Sequence, residues 1–217
     1  MIDGIHHVFS PTGEFTVVLP GTWASIPMDD PDAMRARVAA IVKKQVPRAD
    51  RRARMRQTVR QELQASAAQA SALGASNYSI ALELLPGVPF AASLIGFSQD
   101  WPPATSAVTG PTADRLHRAF PGGETLPCQH STVLRRAELS PKMVGSTEIQ
   151  ALDLEYWFVT PQDRLLCFLI SAPMCESAEL FTASFDAVAD SVRWATPTAD
   201  PITYPDASAH DDANARR

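Results

Sequence analysis

Hydrophobic positions in this chain change period several times, and the changes mark out its elements. From Tyr156 an alternating run leads into Pro161-Gln162-Asp163, and a continuous apolar run, Leu165 to Ile170, follows. Ser171-Ala172-Pro173 then breaks the chain. Beyond it Phe181, Phe185, Val188 and Val192 recur at spacings of four, three and four. The pattern predicts a strand, a tight turn, a strand covered on both faces, and an amphipathic helix that closes a core.

The upstream text reads the same way. Residues 1–13 form a loose lead-in, and Phe15 to Leu19 is a short strand stopped by Pro20-Gly21. Asp30-Pro31 offers an N-cap and a proline at the first helical position. A helix from Asp32 to Gln45 follows, with Met34, Val38, Ile41 and Val42 on one face, and Pro47 beyond its end. A second helix is expected from Asp50 to Leu73. Its stripe is Met55, Val59, Leu63, Ala67 and Ala70, and Gly74 ends it.

The period then drops to two. Tyr78, Ile80, Leu82 and Leu84 predict a strand with one buried face, Pro86-Gly87 turns it, and Phe90 to Phe97 reads as its neighbour. Trp101-Pro102-Pro103 breaks that strand. A short helix, Thr112 to Phe120, ends at Pro121-Gly122-Gly123. Ser131 to Leu139 and Ile149 to Val159 are two further strands, joined by a loop holding Pro141 and Gly145. Residues 196–217 lack apolar periodicity and read as a disordered tail. Strands bounded by helices imply an α+β fold with a mostly antiparallel sheet. Because the run 165–170 is apolar on both sides, helices must flank that sheet twice. The expectation is a single domain over 1–195, a three-layer α/β/α sandwich.

Composition narrows the class without naming a chemistry. Apolar content of 45% and charged content of 20% suit a globular chain with a sizeable core. The longest apolar runs fall far short of the ~20 residues that a membrane span needs. The stretch Met1 to His7 has neither a basic n-region nor an apolar h-region, so a cytosolic protein is expected. Cys128, Cys167 and Cys175 show no paired spacing, which agrees. Cys128-Gln129-His130 is half a metal site at most, and a closed zinc site needs four ligands.

Charge is the second informative pattern. Between Arg35 and Arg60 stand ten basic residues and one acid, Asp50, a net +9. Since the whole chain carries −5, the remainder carries −14. Arg52, Arg56 and Arg60 follow a spacing of four and line one helix face beside the apolar stripe. Such a face is either simply solvated or a dock for an acidic partner, because arginine forks grip carboxylates in two-point fashion. Nucleic acid is disfavoured: the pI is near 5.5 and no aromatic run interleaves the basic residues. The stripe also carries no Trp or Phe to seat in a membrane surface.

Known catalytic signatures are missing. There is no G-x-S-x-G, Walker loop, G-x-G-x-x-G or H-E-x-x-H. Pro121-Gly122-Gly123 follows a helix, the wrong context for a phosphate cradle. Asp153 and Glu155 share one strand face, as paired carboxylates or as a solvent side. His117 and His130 complete the candidates for an enzyme of unrecognised type. No cofactor or metal is expected. Trp157 shares the face of Asp153 and Glu155 and is expected to be exposed there, a candidate for partner contact with Arg52, Arg56 and Arg60. A free sheet edge offers a route to dimers, though no feature demands one.

The opening Phe15-x-Val17-x-Leu19-Pro20-x-x-Trp23, the late apolar strand, and the closing Phe181-x-x-x-Phe185-Asp186-x-Val188-x-x-Ser191-Val192-x-Trp194 resemble the PsbP-like α/β/α sandwich. More closely, residues 15–194 resemble a set of uncharacterised actinobacterial proteins. The resemblance implies a non-enzymatic binding or assembly role, with a link to specialised secretion, type VII systems included. Against that fold group the helical pair at 31–73 looks like an elaboration.

Overall fold

The structure, a computed structural model, describes residues 5–9, 13–45, 53–85, 88–144, 147–173 and 177–195. Two short strands open the chain, β1 (Ile5–Phe9) and β2 (Phe15–Pro20). Gly21, at φ 80°, turns it into β3 (Thr22–Ile26). The Asp30 side chain accepts the Asp32 N–H at 2.8 Å, and Pro31 begins α1 (Pro31–Gln45). Then come α2 (Ala53–Ala72), β4 (Asn77–Leu85), β5 (Val88–Gln99) and α3 (Thr112–Ala119). The rest is β6 (Glu124–Pro127), β7 (Thr132–Val144), β8 (Thr147–Val159), β9 (Leu165–Ala172), α4 (Ala178–Asp190) and β10 (Arg193–Trp194).

Seven strands form one antiparallel sheet in the order β3-β4-β5-β9-β8-β7-β6, and β1-β2-β10 form a second, smaller one. Alternation along each strand sends residues to two different cores. On one face Leu94, Leu154, Tyr156, Phe158, Leu166 and Phe168 meet Phe15, Val17 and Leu19 of the small sheet and Phe181, Phe185 and Val188 of α4. On the other face Ala24, Ile26 and Tyr78 meet Met34, Val38, Ile41 and Ala67 of the helical pair. Farther along that face Phe97, Leu134, Trp157, Leu165 and Cys167 pack with Leu116 of α3. Helices cover the large sheet on both sides, so the fold is the expected three-layer α+β arrangement. Each large side chain buried here is worth about 1.5–3 kcal/mol relative to exposure.

A polar tie fixes α4 over the sheet. The buried Tyr156 hydroxyl donates to Asp186 at 2.9 Å. Arg135 of β7 also holds Asp186, and reaches Glu124 of β6 at 2.5 Å. One helix and three strands are thereby locked across a face that sequence alternation alone would leave free to slide.

The structure departs from the sequence reading in four places. The lead-in contains β1, paired with β2 from Ile5↔Pro20 to Phe9↔Thr16. The short strands β3, β6 and β10 each find a ladder that their few residues do not announce. Strand β4 is buried on both faces: Tyr78 meets the helical pair while Ser79 and Ala81 are covered from the other side. The β7–β8 hairpin is longer than expected, and Pro141 lies within the ladder opposite Gln150. Arg52, Asp50, Pro47, Pro86-Gly87, Gly145, Cys175, the Met55 side chain and the 196–217 tail lie outside the described residues.

Candidate functional site

The basic face is built by α1 and α2. Lys43 and Lys44 sit in the last turn of α1, where cations suit the negative helix end. Arg54, Arg56 and Arg60 occupy the first two turns of α2, whose first turn holds no acid. Within the first turn the dipole opposes the charges of Arg54 and Arg56, at about 0.3–1 kcal/mol each, and Arg60 lies beyond its reach. Arg56 and Arg60 line one shallow polar depression with Gln57, Gln61 and Gln64.

Elsewhere cations are used internally. Arg115 holds Asp163 through two bonds of 2.8 and 3.0 Å, Arg136 holds Glu155 at 3.1 Å, and Arg164 holds Asp100 at 2.8 Å. Arg135 is taken by Glu124 and Asp186, Lys142 by Asp153, and Arg193 by backbone carbonyls. Among the described residues Lys43, Lys44, Arg54 and Arg60 have no such partner, nor does Arg118. Arg35 pairs with Asp32, and Arg37 donates to the Ser25 carbonyl.

A second candidate lies on the opposite end of the same sheet face. Asp153 and Glu155 project from β8 into a recess of about 220 Å³, with Arg136 and Glu138 of β7 and the Pro121-Gly122 turn. Lys142 donates to Asp153 at 2.6 Å and to Ser171 at 2.7 Å, and Ser140 donates to Asp153 at 2.5 Å. Partial burial alone would raise the Asp153 carboxyl. The hydrogen bonds from Lys142, Ser140 and Ser171 outweigh it and hold the group below its ordinary range. Sequence reading found Asp153 and Glu155 but missed Arg136, Ser140 and Lys142. The signal was present in the polar positions that alternate through β7, one ladder step away.

The structure corrects the reading of Trp157. It shares the strand face of Asp153 and Glu155, but α3 covers it and it is only 7% exposed. Phe120 stacks on it, and Phe97 meets it edge-on at 6.0 Å. Its indole N–H reaches Glu155 at 3.4 Å. The ring is a core anchor and not a contact surface.

The histidines do not join the carboxylates. His117 bonds Thr125 of β6 at 2.7 Å, and His130 is exposed ahead of β7. Neither lines the recess. Cys128 is pushed up to about 11 by burial, with Asp190 and Asp186 adding to it. It is a thiol at neutral pH. No metal-holding group of three or more His, Cys, Asp or Glu occurs among the described residues. Among these residues no helix is long and apolar enough to cross a membrane.

No protein-family model matches the chain, and no curated protein matches it. Among solved structures, the solution structure of a cyanobacterial PsbP (CyanoP) from Synechocystis sp. PCC 6803 is similar over 90% of this chain and 95% of its own, at 14% identity and a TM-score of 0.36. The architecture rests on the strand pairing and helix packing above, not on that likeness.

Proposed function

We propose that the chain is a non-catalytic binding or assembly protein of the cytosol, and that α1 and α2 receive an acidic protein surface. One observation carries this reading: among the described residues, the cations on and around the sheet other than Arg118 are neutralised internally, while Lys43, Lys44, Arg54 and Arg60 of the helical pair are not. Arginines at the positive end of α2 cost stability, and an acidic partner offsets that cost. The same face keeps its apolar residues turned inward, with Val38, Val42, Ala67 and Ala70 buried, so charge is what it offers outward. The recess suits electrostatics better than proton transfer, because a carboxyl held low is a weak base near neutral pH. The resemblance of residues 15–194 to actinobacterial proteins supports placing the partner in a specialised, type VII-like secretion pathway.

The test is charge reversal at Arg52, Arg56 and Arg60, followed by affinity capture at low and high salt. A protein partner lost both on reversal and at high salt is the expected result. Retention of every partner by the reversed variant refutes the docking face. Capture of nucleic acid alone, with a steep salt dependence, replaces the reading with a nucleic-acid one.

A further inference from the structure

Two recesses flank one bare strand edge. Strand β6 pairs with β7 only from Thr132 to Arg135, whereas β7 runs on to Val144 against β8. Among the described residues no strand covers the outer edge of β7 beyond Arg135. On the α4 side of that edge lies a groove of about 370 Å³. Leu152 floors it, Ala137 and Leu139 of β7 form one wall, and Thr182 and Ala183 of α4 the other. On the α3 side lies the recess of Asp153 and Glu155. Ala137 and Glu138 line both.

The covered part of β7 shows what the bare part lacks. Val133 stands opposite Leu126 of β6 and is fully buried. Leu139, six residues on and on the same strand face, has no such neighbour and is 51% exposed. A bare edge of N–H and C=O groups is a template for an added strand. Pro141 and Lys142 guard its outer part, since proline cannot donate to a ladder. The stretch from Arg136 to Ser140 carries no proline or lysine, and its one cation, Arg136, is held by Glu155.

The two recesses specify the occupant. Successive side chains of an added strand point to opposite faces. One set meets the groove walled by Ala137, Leu139 and Ala183. The other meets Glu138, Asp153 and Glu155, against one guanidinium, Arg136. Asp153 and Glu155 are already paired, while Glu138 makes no ion pair or hydrogen bond through its side chain among the described residues. We propose that the β7 edge from Arg136 to Ser140 binds an extended protein segment in which apolar residues alternate with lysine or arginine. Main-chain bonds supply affinity, the groove reads the apolar residues, and Glu138 reads the cation. This surface is opposite in sign to the α1–α2 face and does not depend on it.

Three short labelled peptides test this by fluorescence anisotropy against the full chain: alternating valine and lysine, the same composition with its lysines in one block, and alternating valine and glutamate. The alternating lysine peptide is expected to bind about tenfold tighter than either control. Glu138→Lys, an exposed change, should shift preference to the glutamate peptide, and Leu139→Asp should weaken all binding. The proposal is overturned if the blocked peptide binds equally well, or if Glu138→Lys leaves the preference intact. A dimer in sedimentation that Glu138→Lys dissociates also overturns it, because the edge then belongs to a second copy.

Discussion

The Phe120 ring lies flat on the Trp157 indole, with centroids 3.9 Å apart and planes 13° from parallel. Phe120 follows the last turn of α3, and its N–H donates to the Leu116 carbonyl at 2.8 Å. The stack is thus the lid that turns a tryptophan on a polar-looking strand face into a core residue. Phe120→Ala removes the lid. It should cost on the order of 2 kcal/mol and shift Trp157 emission to longer wavelength. Comparison of the spectra with and without Trp157→Phe isolates that indole. An unmoved Trp157 component would mean that α3 covers it by some other contact.

Gly123 is required by closeness. A Cβ placed there would stand 2.2 Å from Leu134 Cδ2 and 2.6 Å from its Cγ, and Leu134 is fully buried with little room to retreat. Gly123→Ala is therefore expected to cost roughly 1–3 kcal/mol through overpacking. Gly122→Ala is strained for a different reason: its φ of 83° suits glycine, while nothing lies within 4 Å of an added Cβ. Urea midpoints of the two variants measure both. If extra space rescues Gly123→Ala, as when combined with Leu134→Ala, the clash is the cause, and no rescue argues against it.

Periodicity sufficed where an element was long. The spacing of Phe181, Phe185 and Val188, and the unbroken run at Leu165–Ile170, located α4 and the doubly covered β9 because one face, or two, had to be apolar. Short strands failed that logic. β3 offers only Ala24 and Ile26 as inward positions, and β10 is two residues held by β2 and by the Ala195 N–H on the Glu14 carbonyl at 2.8 Å. Their pairing is decided by residues far away in sequence. Trp157 failed for the same reason, since its cover comes from Phe120. Basic charge on α2 was legible because it is a local run; the bare β7 edge was not, because it exists only where β6 stops pairing.

Cys128 tests the electrostatics beneath α4. Its thiol is pushed up to about 11, first by burial and then by the negative charges of Asp190 and Asp186. Alkylation follows the thiolate, so at neutral pH Cys128 should react far more slowly than a free cysteine and accelerate only toward pH 11. Asp190→Asn removes one source of that elevation and should raise the rate at fixed pH. Peptide mass spectrometry in a Cys175→Ser background reads Cys128 separately, with Cys167 buried in the core. A rate equal to that of a free thiol would sink the assignment.

Asp153 ties three strands together: Lys142 and Ser140 of β7 and Ser171 of β9 all converge around this β8 carboxylate. Because its folded value is depressed, the contribution to stability is fully present above the ordinary carboxylate value. It fades as pH falls below roughly 4 and through the lowered folded value. Asp153→Asn should therefore cost on the order of 1 kcal/mol at neutral pH, an amount discounted for the partial exposure of the pair. The variant should also lose part of the acid slope, so that the two stability curves converge below about pH 4. Parallel curves down to acid unfolding would mean that the Lys142–Asp153 contact does not set the slope.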